Sequence, residues 1–186
     1  MEKVWVTSDH HFNHTNIIKY CERPFCDVQQ MNEQMIEKWN SVVDKNDIVL
    51  HLGDFILGYN YGEKIGSILD KLNGEIYLII GNHDNAVIDG IKRRGFNAMN
   101  NFIIDNMFFC HYPIVQGIST ENRDRLRSNQ KFHESKCEFV VHGHVHSNSF
   151  PNYNKHFNVS VDRNDFNPID LESIRRYFEG ENESKQ

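Results

Sequence analysis

The sequence predicts an α/β protein. Short apolar runs of strand character alternate with stretches of helical periodicity, and five of those runs end directly on clusters of Asp, His and Asn. The pairs are Val4-Trp5-Val6-Thr7 with Asp9-His10-His11, and Ile48-Val49-Leu50-His51-Leu52 with Gly53-Asp54. Ile76-Tyr77-Leu78-Ile79-Ile80 leads into Gly81-Asn82-His83-Asp84, and Met107-Phe108-Phe109-Cys110 into His111. Phe139-Val140-Val141-His142 leads into Gly143-His144-Val145-His146. A buried strand that ends in a turn delivers the next side chains to the carboxyl edge of a sheet, where open α/β folds hold their ligands.

Between the strands, Asp27 is placed to cap a helix whose Met31, Met35, Ile36, Trp39, Val42 and Val43 share one face, a core-packing stripe. A second helix is expected from Tyr61 to Leu72, with Ile65, Ile68, Leu69 and Leu72 inward and Asn73-Gly74 ending it. Ala86 to Arg94 reads as a short helix, and Phe102 to Cys110 as a hairpin turning at Asp105-Asn106. Ser119 to Lys136 is polar and has no clear period; its Arg123, Arg125 and Arg127 suit a solvated face better than a substrate mouth. Phe157 to Val161 reads as a further strand and Leu171 to Phe178 as a closing helix.

A chain of 186 residues with 13 Phe can bury one full core, so residues 1–179 are expected to form a single domain, with a disordered polar tail from Gly180 to Gln186. Twenty basic residues against 26 acidic ones give a net charge of −6, which offers no general attraction to a polyanion. Nucleic acid is therefore less expected as a partner than a small phosphate ester or nucleotide. Cys21, Cys26, Cys110 and Cys137 lack Cys-x-x-Cys spacing. With no leader-like start and no apolar run of membrane-spanning length, a cytoplasmic protein with no membrane association is the expectation.

The five clusters supply carboxylates, imidazoles and one amide oxygen, a donor set suited to Mn, Fe, Zn or Ni rather than to a thiolate zinc cage. In order along the chain, Asp9-x-His11, Gly53-Asp54, Gly81-Asn82-His83-Asp84, His111 and Gly143-His144-x-His146 resemble the motifs of the calcineurin-like metallophosphoesterase superfamily. The resemblance implies two facing mixed β-sheets flanked by helices, with two divalent transition metal ions, Mn first among them, at the sheet edges. It implies that Asp9, His11, Asp54 and His146 hold one ion and that Asp54, Asn82, His111 and His144 hold the other, so that Asp54 bridges. Two such ions can activate a shared water toward phosphorus while neutralising phosphoryl oxygens. His83 would stay uncoordinated and protonate the leaving group or stabilise the transition state, with Asp84 placed to orient it.

The second motif lacks the Gly-Asp-x-Val-Asp-Arg-Gly of protein serine/threonine phosphatases, and Asp84 stands where they have Glu. The stretch from Thr7 to Ile18, followed by Arg23-Pro24-Phe25, is similar instead to small single-domain phosphoesterases of bacteria and phages, in which Asn13 is commonly Gly. His14 and Arg23 are candidate contacts for the substrate phosphate. His10, His51 and His142 adjoin ligands but alternate away from them, which favours places in the core or behind the ligands, and Asn158 and Asp162 suit partners of the ligand histidines or a strand-end turn equally. The function expected is a two-metal phosphoester hydrolase acting on a small substrate, a phosphodiesterase or nucleotide phosphohydrolase. A catalytically silent binding scaffold and a nuclease are the alternatives.

Overall fold

The computed structural model describes residues 2–57, 66–84, 88–93, 97–114, 123–148 and 155–180. Strands β1 (Val4–Thr7), β2 (Ile48–His51), β3 (Glu75–Ile79) and β4 (Asn97–Met99) run parallel, and β9 (Ile169–Asp170) joins β1 antiparallel, in the order β4-β3-β2-β1-β9. A second sheet has the order β5-β6-β7-β8. Its β5 (Asn101–Ile104) and β6 (Met107–Cys110) form an antiparallel hairpin, and β7 (Phe139–His142) and β8 (His156–Asn158) continue parallel to β6.

Strand alternation divides the side chains between three cores. Trp5, Val49, Ile76 and Leu78 point outward from the first sheet, into a cluster with Met31, Met35 and Trp39 of helix α2 (Val28–Val42). Their neighbours Val6, Leu50 and Ile79 point the other way and meet Met107, Phe109 and Val141 of the second sheet. Phe108 and Val140 line that sheet's far face with Phe132 of helix α4 (Arg123–Ser135). The architecture is thus two facing mixed sheets flanked by helices, as the family resemblance implies.

Asp27 caps α2 by accepting the Gln30 N–H at 2.8 Å, and the Met31, Met35 and Trp39 side chains are fully buried. The hairpin turns at Asp105-Asn106, with Asp105 at φ 52°. The closing helix α5 (Leu171–Phe178) has the expected bounds, and helix α3 spans Ile88–Arg93. The helix expected from Tyr61 to Leu72 is described only over 66–69, followed by a turn; Tyr61 and Ile65 lie outside the described residues, as do Ala86 and Arg94. Asn40 accounts for the early end. It donates to the Lys71 carbonyl and accepts the Asn73 N–H, drawing the chain against α2.

Two expectations need correction. The strand from Phe157 stops at Asn158, because the Asn158 side chain takes the Ser160 N–H and the Val161 N–H bonds the Ser8 carbonyl. The chain thereby crosses to the first sheet as a 3₁₀ turn, Val161–Arg163. The polar segment left without a period contains the 13-residue α4, which buries little beyond Ser128. Of the expected tail, only Gly180 is among the described residues.

Candidate metal centre

The register aligns Thr7, His51 and Leu78 across β1, β2 and β3, so the chain leaves all three strands on one edge. The ends of β6 and β7 meet that edge from the second sheet. Leu52 lies beside His111, whose imidazole Nδ1 donates to the Leu52 carbonyl at 2.8 Å, and the His144 N–H reaches Asp9 Oδ2 at 3.0 Å. Five separate strand ends therefore deliver their clusters to one place.

Asp54 sits at its centre. Its Oδ2 lies 3.4 Å from His11 Nε2 and 3.5 Å from His111 Nε2. His111 Nε2 lies 3.0 Å from Asn82 Oδ1 and 3.2 Å from His144 Nδ1. Asp9, His11 and His146 form one group of mutually close donor atoms, and Asp54, His111 and His144 a second. Atoms sharing one first-row ion at about 2.1 Å stand roughly 3.0–3.4 Å apart, close to the 3.0–3.5 Å spacings around Asp54 and His111. His11 Nε2 is buried without a hydrogen-bond partner, an arrangement that is unfavourable unless something else accepts its lone pair.

The bonds behind the ligands fix which nitrogen faces inward. His111 uses Nδ1 on the Leu52 carbonyl, leaving Nε2 toward Asp54 and Asn82. His146 uses Nδ1 on Asp162 at 2.6 Å, and the Asn158 amide donates to the His146 carbonyl. Asp162 thus stands behind a ligand imidazole, whereas Asn158 meets only the His146 backbone and the turn at Ser160.

The backbone is bent to this purpose. Asp9, His11, Asp54, His144 and His146 all adopt positive φ, between 51° and 71°. Such left-handed conformations are unfavourable for non-glycine residues and gather at functional sites. Asn13, where similar phosphoesterases commonly have Gly, also has φ 64°; Asn tolerates this, and its side chain accepts from Asn32 at 2.7 Å. Gly143 permits the closest crossing, since a Cβ there would overlap Ser8 Oγ and Asp9 Oδ2.

Electrostatically the cluster is unsettled without a cation. Burial, with the nearby Asp54 charge, raises the Asp9 pKa to about 7, and burial also raises that of Asp54. Burial pushes His111 and His144 down to about 3. Carboxylates that resist ionisation thus stand beside imidazoles that resist protonation. A divalent cation would relieve the first condition by favouring ionised carboxylates, and it binds the neutral imidazoles that the second provides. The donor chemistry, the spacing and the orphaned His11 nitrogen all fit metal binding.

His83 donates its backbone N–H to Asp54 Oδ1 at 2.9 Å, and its ring centroid lies 5.3 Å from that of His11. It stands beside the ligands as the sequence places it. His14 lies at the rim, with its ring 6.4 Å from His83 and its Nδ1 3.4 Å from His11 Nδ1. Arg23 is directed elsewhere. Its guanidinium is fully buried, holds both oxygens of Asp162 at 2.8 and 3.0 Å, and donates to the carbonyls of Asp9 and His10. A fork so occupied cannot also meet a substrate phosphate, so the substrate contact expected of Arg23 gives way to a role beneath the ligand loop.

Asp84 likewise does not orient His83. Its carboxylate accepts the N–H groups of Asp54, Phe55 and Gly81 at 2.7 to 2.9 Å and so fixes the loop that carries the central ligand. Sequence reading missed Ser8, whose hydroxyl donates to Asp9 Oδ2 at 2.5 Å; only its place next to a ligand hinted at it. His10, His51 and His142 are buried, as strand alternation indicates.

Known proteins share this organisation. An uncharacterized protein of Methanocaldococcus jannaschii is 37% identical over 187 residues, covering 96% of this chain and 93% of its own. The gene 66 protein of Mycobacterium phage L5 is 26% identical over 174 residues, covering 79% of each chain. The crystal structure of an Aquifex aeolicus protein of unknown function matches with a TM-score of 0.77 at 26% identity, over 95% of this chain and 99% of that one. The profile of the calcineurin-like phosphoesterase family matches residues 2–162, a span that contains every ligand cluster described above. The chain belongs to the calcineurin-like phosphoesterase family.

Proposed function

We propose that this protein is a metal-dependent phosphoester hydrolase with two divalent transition metal ions, Mn²⁺ foremost, acting on a small phosphate ester or nucleotide. The observation that carries the reading is the position of Asp54 Oδ2, at 3.4 and 3.5 Å from imidazoles of two different ligand groups. One carboxylate between two donor sets is what a bridged pair of ions requires. Asp9, His11 and His146 would hold one ion with Asp54, and Asn82, His111 and His144 the other. Bound there, the ions would lower the pKa of an attacking water and neutralise phosphoryl oxygens.

The remaining steps belong to the chain. Asn82 contributes an oxygen without adding charge. His83, tethered to Asp54 through its backbone, presents its ring beside His11 and donates a proton to the departing ester oxygen. His14, at the rim next to it, contacts the ester. Arg23 and Asp162 keep the Asp9–His11 turn and His146 from shifting during turnover.

The test is an assay of chelated and Mn²⁺-reloaded protein on a chromogenic monoester, a chromogenic diester, a nucleotide panel and single-stranded DNA. Hydrolysis of a small ester that chelator abolishes and Mn²⁺ restores supports the reading. Cleavage of DNA alone would make the protein a nuclease, and silence toward every substrate in the metal-loaded state would make it a scaffold.

A further inference from the structure

Beside the metal centre lies a cavity of about 400 Å³ that the hydrolytic scheme above does not use. The ligand residue His111 and Gly81 are part of its lining, so it adjoins the ligand cluster itself. Its outer wall is α4, on which Arg127 and Lys131 stand four residues apart and therefore on the same face. Asn100 and Asn101, at the junction of β4 and β5, also line it and supply neutral amides. The volume falls in the range of small-molecule pockets.

The charges of this wall are only loosely committed. Arg127 lies 3.7 Å from Asp124, also on the cavity lining, and Lys131 bonds Glu134 at 2.9 Å; both pairs are solvent-exposed. Exposed pairs of this kind contribute little, so exchanging a carboxylate partner for a ligand anion is nearly neutral. A chain of net charge −6 that places Arg and Lys together on the lining of a cavity beside its metal centre has a local field there opposite to its global one.

We propose that this cavity is a second phosphate subsite, with Arg127 and Lys131 as its cations and Asn100 and Asn101 as its hydrogen-bonding wall, so that the substrate carries two phosphate groups, as a nucleoside diphosphate does. The scissile phosphate lies at the metal ligands, and the second enters past His111 toward α4. Arg presents a fork matched to phosphate oxygens and Lys a mobile point charge, a pairing that accepts a phosphate without dictating its exact orientation. The assignment rests on the hydrolase reading for the identity of the first phosphate.

The test separates the two claims by using binding for one and turnover for the other. Calorimetry on the Mn²⁺-loaded protein compares α,β-methylene ADP, which resists hydrolysis, with AMP. The wild type is expected to bind the diphosphate more tightly, and Arg127→Gln/Lys131→Gln to lose roughly tenfold in affinity for it but less than about twofold for AMP. Lys155→Gln, an exposed charge paired with Glu138 away from the cavity, controls for loss of overall positive charge. A double variant that weakens both nucleotides equally, or neither, overturns the subsite, as does a control variant with the same loss. Chromogenic ester hydrolysis by the wild type is read in parallel; its absence overturns the hydrolase reading while leaving the binding comparison to decide the subsite.

Discussion

The carboxylate of Asp162 stands 2.6 Å from His146 Nδ1, and both its oxygens are held by the buried guanidinium of Arg23. The 3₁₀ turn that carries Asp162 exists because the chain crosses from the second sheet to the first directly after β8. One residue therefore couples the last ligand motif to the first. Asp162→Asn is expected to keep the fold and lower affinity for the ion held by Asp9, His11 and His146 by about 10–100-fold, the usual effect of removing a carboxylate behind a ligand histidine. Metal titration followed by calorimetry checks this, and the ion held by His111 and His144 should bind nearly as before.

Asp54 behaves differently, because its Oδ2 faces both groups. Asp54→Asn should weaken both ions together and abolish ester hydrolysis, whereas His11→Ala should empty mainly one site. Elemental analysis of dialysed protein distinguishes them. Two full equivalents retained by Asp54→Asn would falsify the bridging arrangement.

Gly81 gives a third expectation. A Cβ there would overlap the Asp54 carboxylate and the Asp54 backbone nitrogen, and neither can yield because Asp84 fixes that loop through three N–H bonds. Gly81→Ala should therefore lower the urea midpoint and metal affinity in parallel. A variant that stays as stable as the wild type but loses metal would show the loop to be softer than these bonds imply.

How much of this was legible in the sequence follows from the range of the forces involved. The ligand clusters were readable because a local pattern, an apolar run ending in a turn, sets both their position and their direction. The α2 stripe was readable for the same reason, since Met31, Met35 and Trp39 repeat at helical spacing. The α4 helix was not, because it carries few apolar side chains, Phe132 being its main apolar contact while Leu126 remains 47% exposed, so no core-facing stripe stands out from its polar sequence. Arg23 and Asp162 are 139 residues apart, and no local pattern records that pairing. The left-handed backbone at five ligand residues is equally invisible, because Asp and His carry no glycine-like mark of it.

The metal-free protein should lose stability in acid. Burial holds the His51 and His142 pKa values at about 3, against 6.5 for an exposed imidazole. Below pH 6.5 the unfolded chain takes up protons that the folded one refuses, so the stability these groups contribute is complete above that pH and is lost as pH falls toward 3. Asp84, raised by burial to about 6, and Asp9 act with the opposite sign, losing stability as pH rises from 3.8 through their folded values. The imidazoles win because they are more numerous, His111 and His144 being held down as well. Burial resists protonation of His146, but its bonds to Asp162 and Cys21 prevail and raise it to about 10, so its contribution changes only above pH 6.5. The urea midpoint of chelated protein is therefore expected to fall from pH 6.5 to 4.5, and a flat or rising midpoint would contradict these assignments.

His83 allows the proton-transfer step to be separated from metal binding. Its backbone is tied to Asp54 at 2.9 Å, but that bond uses the main chain and survives substitution of the ring. His83→Ala should thus retain both metal ions, read by elemental analysis, while kcat for an alkyl ester falls by on the order of 10²–10⁴, the usual contribution of a general acid. An activated phenol departs as a stable anion without a proton, so the loss for a nitrophenyl ester should be much smaller. KM should change less than kcat, since proton donation strengthens only as the ester bond breaks. An equal loss for both leaving groups would assign the ring to stabilising phosphoryl oxygens instead, and a missing metal ion in the variant would make His83 a ligand.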